Sequence, residues 1–282
     1  CLNTAFGFNA LNDTTSGCRN TAIGGQALAK NTTGCKNTAV GVCSIYTNTT
    51  GSYNTGLGHR SLNCNETGSQ NTASGSYSLM KTTSGNYNTA FGYSAAINNT
   101  TGTMNTAVGR TALYNNTTAS NNTAIGMESL YSNTTGCENT ALGREALCAA
   151  TTAIRNTAVG FKAGHKTTGS YNTVMGFISL CTNTSGHSNA SLGYATMYLN
   201  TTGTNNSVLG NAAFAKNTTG SNNVAVGNLA LCSNTTASCN VAIGDCTLYA
   251  NTTGADNTAV GANALDANTT GGYNTAVGRN AL

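Results

Sequence analysis

Eleven cysteines are the residues of this chain with the most chemistry to offer, and their spacing limits what that chemistry can be. Cys1, Cys18 and Cys35 are equally spaced along the chain. If the chain returns to the same place at that interval, these thiols stack at about 4.8 Å, inside the α-carbon range that a disulfide accepts. A bridge between two of the three is one expectation. The other is a column of small thiols whose parallel side chains miss the disulfide torsion. Cys148, Cys181 and Cys232 share a position but lie two repeats or more apart, about 9.6 Å or beyond, too far to pair with each other. There is no CxxC pair, and His59, His165 and His187 occupy unlike positions, so no metal site is expected. The carboxylates Asp13, Glu66, Glu128, Glu138, Glu145, Asp245, Asp256 and Asp266 scatter over variable positions, and no Ser/His/Asp or Cys/His set is indicated. The glycines are spaced for corners rather than for cradling phosphate. The expectation is a non-enzyme, with no catalytic, cofactor-binding or metal-binding residue.

What must position these residues is a repeat. Asn-Thr-Ala-aliphatic-Gly recurs from Asn3 to Asn274 with a 17-residue period, broken once, where the step from Asn156 to Asn172 is shorter by a single residue. With the motif Asn as slot one, slot two is usually Thr and slot three is small. Slot four is large and apolar in all copies but one, and slot five is Gly in every copy. Slot eight is Ala, Ser or Thr, slot nine is apolar in all copies but one, and slots twelve to fifteen read Asn-Thr-Thr-Gly with small deviations. A fixed short period means one supersecondary unit stacked on itself. Each repeat holds two short apolar stretches bounded by Gly, Asn, Thr and Ser, which is the signature of strand and turn, and no ten-residue stretch keeps a helical period. These features predict an all-β, parallel β-solenoid of about 17 coils with a 17-residue period, the strands stacking at about 4.8 Å per coil.

Composition agrees with an ordered repeat. Charged residues are 7%, there is no Pro or Trp, and 39% of residues are apolar and in fixed register, unlike a disordered chain. A net charge of +4 from 12 basic and 8 acidic residues forms no basic stripe, which argues against nucleic-acid partners. No apolar run approaches a membrane span, so no membrane insertion is expected, and no signal sequence is present. Residues 1–282 read as a single solenoid domain. The chain starts at Cys1 rather than Met, stops partway through a repeat and has no atypical cap, so it reads as a window of a longer fibre.

The near-constant slots have physical roles. Asn20, Asn37, Asn54, Asn71, Asn88, Asn105 and Asn122, in register, are expected to form an amide ladder, each donating to one neighbouring rung and accepting from the other. Gly24, Gly41, Gly58, Gly75 and Gly92 are expected at corners that need a positive φ or a close backbone approach. Slots four and nine are assigned to an aliphatic interior, while slots three and eight let a neighbouring backbone come near. Slots six, seven, ten, eleven, sixteen and seventeen are assigned to the outer surface, where Tyr93, Tyr114, Tyr131, Tyr171, Tyr198 and Tyr249 fall. Asn31, Asn48, Asn116, Asn200 and Asn251 satisfy the N-glycosylation sequon, but glycans about 4.8 Å apart would collide, which favours a hydrogen-bonding turn. In the shortened repeat, Gly164 replaces the slot-nine Leu and a looser corner is expected. An interior this thin is marginal for an isolated coil and points to self-association, such as three rolls packed face to face.

The strings NTAVGRTALYNNTTASNNTAIG at 105–126 and NTAVGANALDANTTGGYNTAVG at 257–278 resemble the repeats of trimeric autotransporter adhesin heads, and more closely those of phage tail-fibre proteins. The resemblance covers the whole chain. It implies left-handed parallel β-roll coils in a homotrimer, used as a stalk or adhesive head at a cell or virion surface. The coil is longer than the usual adhesin-head repeat, and the cysteines are foreign to it. The functional expectation is therefore a structural extracellular fibre or adhesin stalk or head, a stiff rod for surface attachment or filament formation. Its partner is another copy of itself, as a homotrimer or filament, with a surface glycan or receptor as a further partner. The alternative is an ice-binding β-solenoid, in which slots twelve and fourteen would form an outward Asn-x-Thr array, since adjacent Thr residues face opposite sides of a strand.

Overall fold

A computed structural model describes residues 2–282 and contains an all-β, parallel β-solenoid of about 17 coils, each coil one repeat. Cys1 lies outside the described residues, and with it any bridge from Cys1 to Cys18. The chain divides into two compact units, Cys1–Asn139 and Thr140–Leu282. The first holds eight three-residue strands, from Thr4–Phe6 to Thr123–Ile125, and the second nine, from Thr140–Leu142 to Thr275–Val277.

Each strand is slots two to four and pairs in parallel with the same slots of the next coil. In the first unit Thr21, Ala22 and Ile23 face Thr38, Ala39 and Val40. In the second unit the register survives the shortened coil, with Thr157 opposite Thr173 and Ala158 opposite Val174. The second apolar stretch does not form the strand expected from its pattern. Slots eight and nine lie in a run of turns, because slots seven and nine hold left-handed backbone: φ is 58° at Gln26 and 50° at Leu28. Slot seventeen is left-handed too, at 59° in Lys36. A residue reversing its peptide plane at every second position cannot continue a pleat.

The turns still join the stack. Leu28 N–H donates to Ser44 O at 3.0 Å in the following coil, and Gln26 N–H donates to Phe8 O at 2.7 Å in the preceding one. At the other corner the N–H groups of Thr32, Thr33 and Gly34 converge on Thr49 O at 3.0, 3.0 and 3.2 Å, joined by Thr32 Oγ1 at 2.9 Å. Coils are thus linked through their corners as well as their strands, which satisfies backbone groups that a short strand leaves over.

The core of each unit is the inside of the coils. It consists of the slot-three Ala (Ala22, Ala39 and Ala73, all 0% exposed), the slot-eight Ala or Ser and the slot-nine Leu, such as Leu28, Leu62 and Leu231. Slot four, expected inside with slot nine, faces out instead. In a three-residue strand the middle side chain takes one side and its two neighbours the other. The small slot-three residue points in, so slots two and four must point to solvent. Ile23 and Leu57 are 40% exposed and Phe91 is 60% exposed.

Candidate functional site

The outward pair of columns, slots two and four, is the most distinctive surface of the chain. In the first unit slot two is Thr in all eight strands, while slot four runs Phe6, Ile23, Val40, Leu57, Ser74, Phe91, Val108 and Ile125. In the second unit slot four runs Leu142, Val159, Met175, Leu192, Leu209, Val226, Ile243, Val260 and Val277, with Met175 and Leu209 about half exposed. Apolar side chains repeated in register at strand spacing make an apolar stripe in each unit, broken in the first only at Ser74, unlike scattered surface Leu or Val. Beside it in the second unit the slot-six rings of Phe161, Phe177 and Tyr194 stack, with centroids 5.2 and 5.6 Å apart and planes nearly parallel.

Two slots, Asn in every coil at slot one and in most coils at slot twelve, hold this face in place from inside. At slot one, Asn20 Oδ1 accepts the Asn37 N–H at 2.9 Å and Asn37 Oδ1 accepts the Asn54 N–H at 2.9 Å. Each Nδ2 meanwhile closes its own coil, as from Asn20 to Gly34 O at 2.8 Å. The series runs on through Asn71, Asn88, Asn105 and Asn122, and from Asn88 onward the amide also reaches the preceding Oδ1 directly, at 3.1 Å between Asn88 and Asn71. The slot-one ladder is thus chiefly side chain to backbone. A ladder of directly bonded side-chain amides lies at slot twelve, where Asn48 Nδ2 donates to Asn31 Oδ1 and Asn65 Nδ2 to Asn48 Oδ1, both at 2.7 Å, and each Nδ2 also donates to its own coil, as from Asn48 to Gly51 O at 2.9 Å.

That second ladder agrees with one expectation, the hydrogen-bonding turn at the sequons, and corrects another. Asn31, Asn48, Asn116, Asn200 and Asn251 are all 0% exposed, so these sequon amides face the interior of the folded coil and are closed to a glycan. The outward Asn-x-Thr array of slots twelve and fourteen is not formed, because its slot-twelve column, as at Asn31, Asn48 and Asn65, lies inside. Asn-Thr-Thr-Gly reads as an exposed turn; the signal that slot twelve is buried was its constancy, as strong as that of other interior slots.

The corner glycines adopt φ of 129° at Gly24 and Gly41, 130° at Gly58, 128° at Gly75 and 136° at Gly92. A Cβ on Gly24 would lie 2.7 Å from the carbonyl carbon and oxygen of Gly41, so both the dihedral and the space exclude a side chain.

Of the chemically capable residues, Cys18 and Cys35 are brought together, with sulfurs 3.0 Å apart. Hydrogen bonding to Cys35 pushes the Cys18 thiol up, and hydrogen bonds from the Cys18 thiol and backbone hold Cys35 below the usual thiol range. Burial pushes Cys64, Cys181 and Cys232 up. Among the carboxylates, Glu145 gathers Arg144 at 3.0 Å, Lys162 at 3.3 Å and His165 at 3.8 Å beside the shortened coil. Sequence position hinted at this cluster, since Glu145 and Lys162 share slot seven of successive coils. It is one carboxylate paired with an arginine and a lysine beside a histidine, an ion-pair set near Gly164, whose φ is 58°. No group of three or more His, Cys, Asp or Glu that could hold a metal occurs among the described residues, and among them no helix is long and apolar enough to cross a membrane.

In the first unit a groove of about 400 Å³ runs between slots eleven and thirteen, lined by Lys81, Asn98, Thr100, Asn115, Thr117 and Ser132. The stacked slot-ten rings of Tyr114 and Tyr131, 5.1 Å apart, adjoin its Asn115 and Ser132 in the chain. No protein family, curated protein or solved structure matches the chain.

Proposed function

We propose that this chain is a segment of a structural extracellular fibre, an adhesin stalk or head at a cell or virion surface, built as a homotrimer of left-handed rolls that meet through slots two and four. The observation that carries the reading is the outward apolar column. An interior of one Leu and two small residues per coil leaves each coil short of buried apolar surface, while a second set of aliphatic side chains stands outside in register. Covering a half-exposed Val, Leu or Ile contributes roughly 1 kcal/mol, and the contribution recurs with every coil. Association between copies uses both facts. The resemblance of the repeats to adhesin heads and phage tail fibres supports the same arrangement and supplies the handedness and the number three. Specificity for a glycan or receptor then belongs to variable slots, for which the Asn- and Thr-lined groove beside Tyr114 and Tyr131 is the best-shaped candidate.

The test is to place charge on the face without touching the interior. Leu57→Lys with Phe91→Lys is expected to lower the sedimentation coefficient to that of a single chain while circular dichroism stays unchanged. An unchanged coefficient in a protein that had been oligomeric would remove slots two and four as the interface.

A second reading, ice binding, is favoured by one specific observation: the unbroken column of eight slot-two Thr in the first unit, in register beside an aliphatic column. Against it, slot four changes in size from Ser74 to Phe91, which roughens a surface that would have to be flat. A thermal-hysteresis assay showing no freezing-point gap at millimolar chain excludes it.

A further inference from the structure

We propose that Cys18 and Cys35 form a thiol–disulfide exchange site, in which a small-molecule disulfide is reduced and the two successive coils become covalently joined. Slot sixteen normally carries a side chain that accepts the N–H of the same slot in the preceding coil: Ser52 Oγ accepts from Cys35 N–H, and Ser69 Oγ from Ser52 N–H, both at 3.0 Å. Cys35 fills this role with sulfur, accepting the Cys18 N–H at 3.1 Å, and the repeat places the Cys18 sulfur 3.0 Å from it. That separation is already inside ordinary sulfur contact, about 1 Å from the length of a disulfide bond, and the coil spacing of about 4.8 Å is within the α-carbon range a disulfide tolerates.

The two sulfurs are not equivalent. Cys35 takes two donors, the N–H and the thiol of Cys18, and Arg19 and Lys36 stand next to the pair in sequence; together these favour its thiolate. Its other contact, 3.5 Å to Thr33 O, serves the neutral thiol. Cys35 is therefore the attacking group and Cys18 the resolving one. The Cys35 thiolate attacks one sulfur of the small disulfide, forming a mixed disulfide and expelling the first small thiolate. Cys18 then gives up its proton to solvent and attacks the Cys35 sulfur, expelling the second small thiolate. Overall the small disulfide gains two electrons and two protons, and the Cys18–Cys35 dithiol loses them. Among the described cysteines no other two share a slot in successive coils, and burial holds Cys64, Cys181 and Cys232 as neutral thiols.

The full chain would be incubated with bis(2-hydroxyethyl) disulfide, its remaining thiols blocked with iodoacetamide, and tryptic peptides read by mass spectrometry. The expected result is the peptide ending at Arg19 joined to peptide 31–36. Cys1 shares the first peptide, so Cys1→Ser must keep the joined product and Cys18→Ser must lose it, leaving Cys35 as the mixed disulfide. Ser already serves slot sixteen at Ser52 and Ser69, so Cys18→Ser is expected to fold, with an unchanged circular dichroism spectrum as the check. Persistence of the joined peptide in Cys18→Ser would make Cys1 the partner and overturn the proposal. So would recovery of Cys35 alkylated in the original chain, or retention of silver(I) by the reduced chain with no joined peptide on oxidation, which marks a metal-binding dithiol instead.

Discussion

At the scale of single residues, the molecule depends on buried amides to a degree unusual for a core. Asn54 shows why: its Oδ1 accepts the Asn71 N–H at 3.0 Å and its Nδ2 donates to Gly68 O at 2.8 Å, all out of water. Asn54→Ala leaves the Asn71 N–H unpaired, at a cost of about 1–3 kcal/mol, while Gly68 O keeps the Asn65 amide at 2.9 Å, so a loss of about 2 kcal/mol in urea unfolding is expected. The slot-twelve ladder permits the opposite experiment. Thr82 stands where its neighbouring coils carry Asn65 and Asn99, and both Thr82 Oγ1 and Asn65 Oδ1 are buried without a partner. Thr82→Asn supplies a donor to Asn65 and an acceptor for Asn99, and is expected to raise stability by about 1 kcal/mol. Of the two ladders, the one at slot one was legible, because an invariant Asn in register has few other uses. Even there the side-chain-to-backbone pattern was not, since residue type does not say which group the Oδ1 serves. The slot-twelve ladder was hidden by Asn-Thr-Thr-Gly, whose composition is that of an exposed turn.

The coil, as an element, was readable in its period and its corner and misread in its sidedness. An even 17-residue period, interrupted once, and an invariant slot-five Gly leave little choice but a stacked coil with a tight corner. The Gly is fixed twice over, by φ of 129° at Gly24 and by the Gly41 carbonyl 2.7 Å from any added Cβ, so Gly24→Ala is expected to cost about 3 kcal/mol, read as a fall in the denaturation midpoint. Which apolar slot faces inward was not readable. Two aliphatic positions per repeat suggest two strands, yet Leu28 and Leu62 sit in left-handed backbone at φ of 50°, a conformation that hydrophobic pattern cannot announce. With slot nine filling the interior from a turn, the three-residue strand needs only its middle side chain inside. Ile23 and Leu57 are left in solvent for that geometric reason rather than by any difference in residue type.

For the whole molecule, these placements combine into one picture: a chain whose coils are closed by amides and one Leu keeps a second apolar column outside, and the self-association we propose would cover it. Leu57 and Phe91 carry the claim better than any charged or thiol group, since the Glu145 cluster and the Cys18–Cys35 pair lie in other slots. The most direct test is the absolute mass of the native chain by multi-angle light scattering at micromolar concentration. A trimer gives three times the 28.4 kDa mass of the chain, which is the expected result, whereas a mass of 28.4 kDa, one chain alone, would contradict the claim.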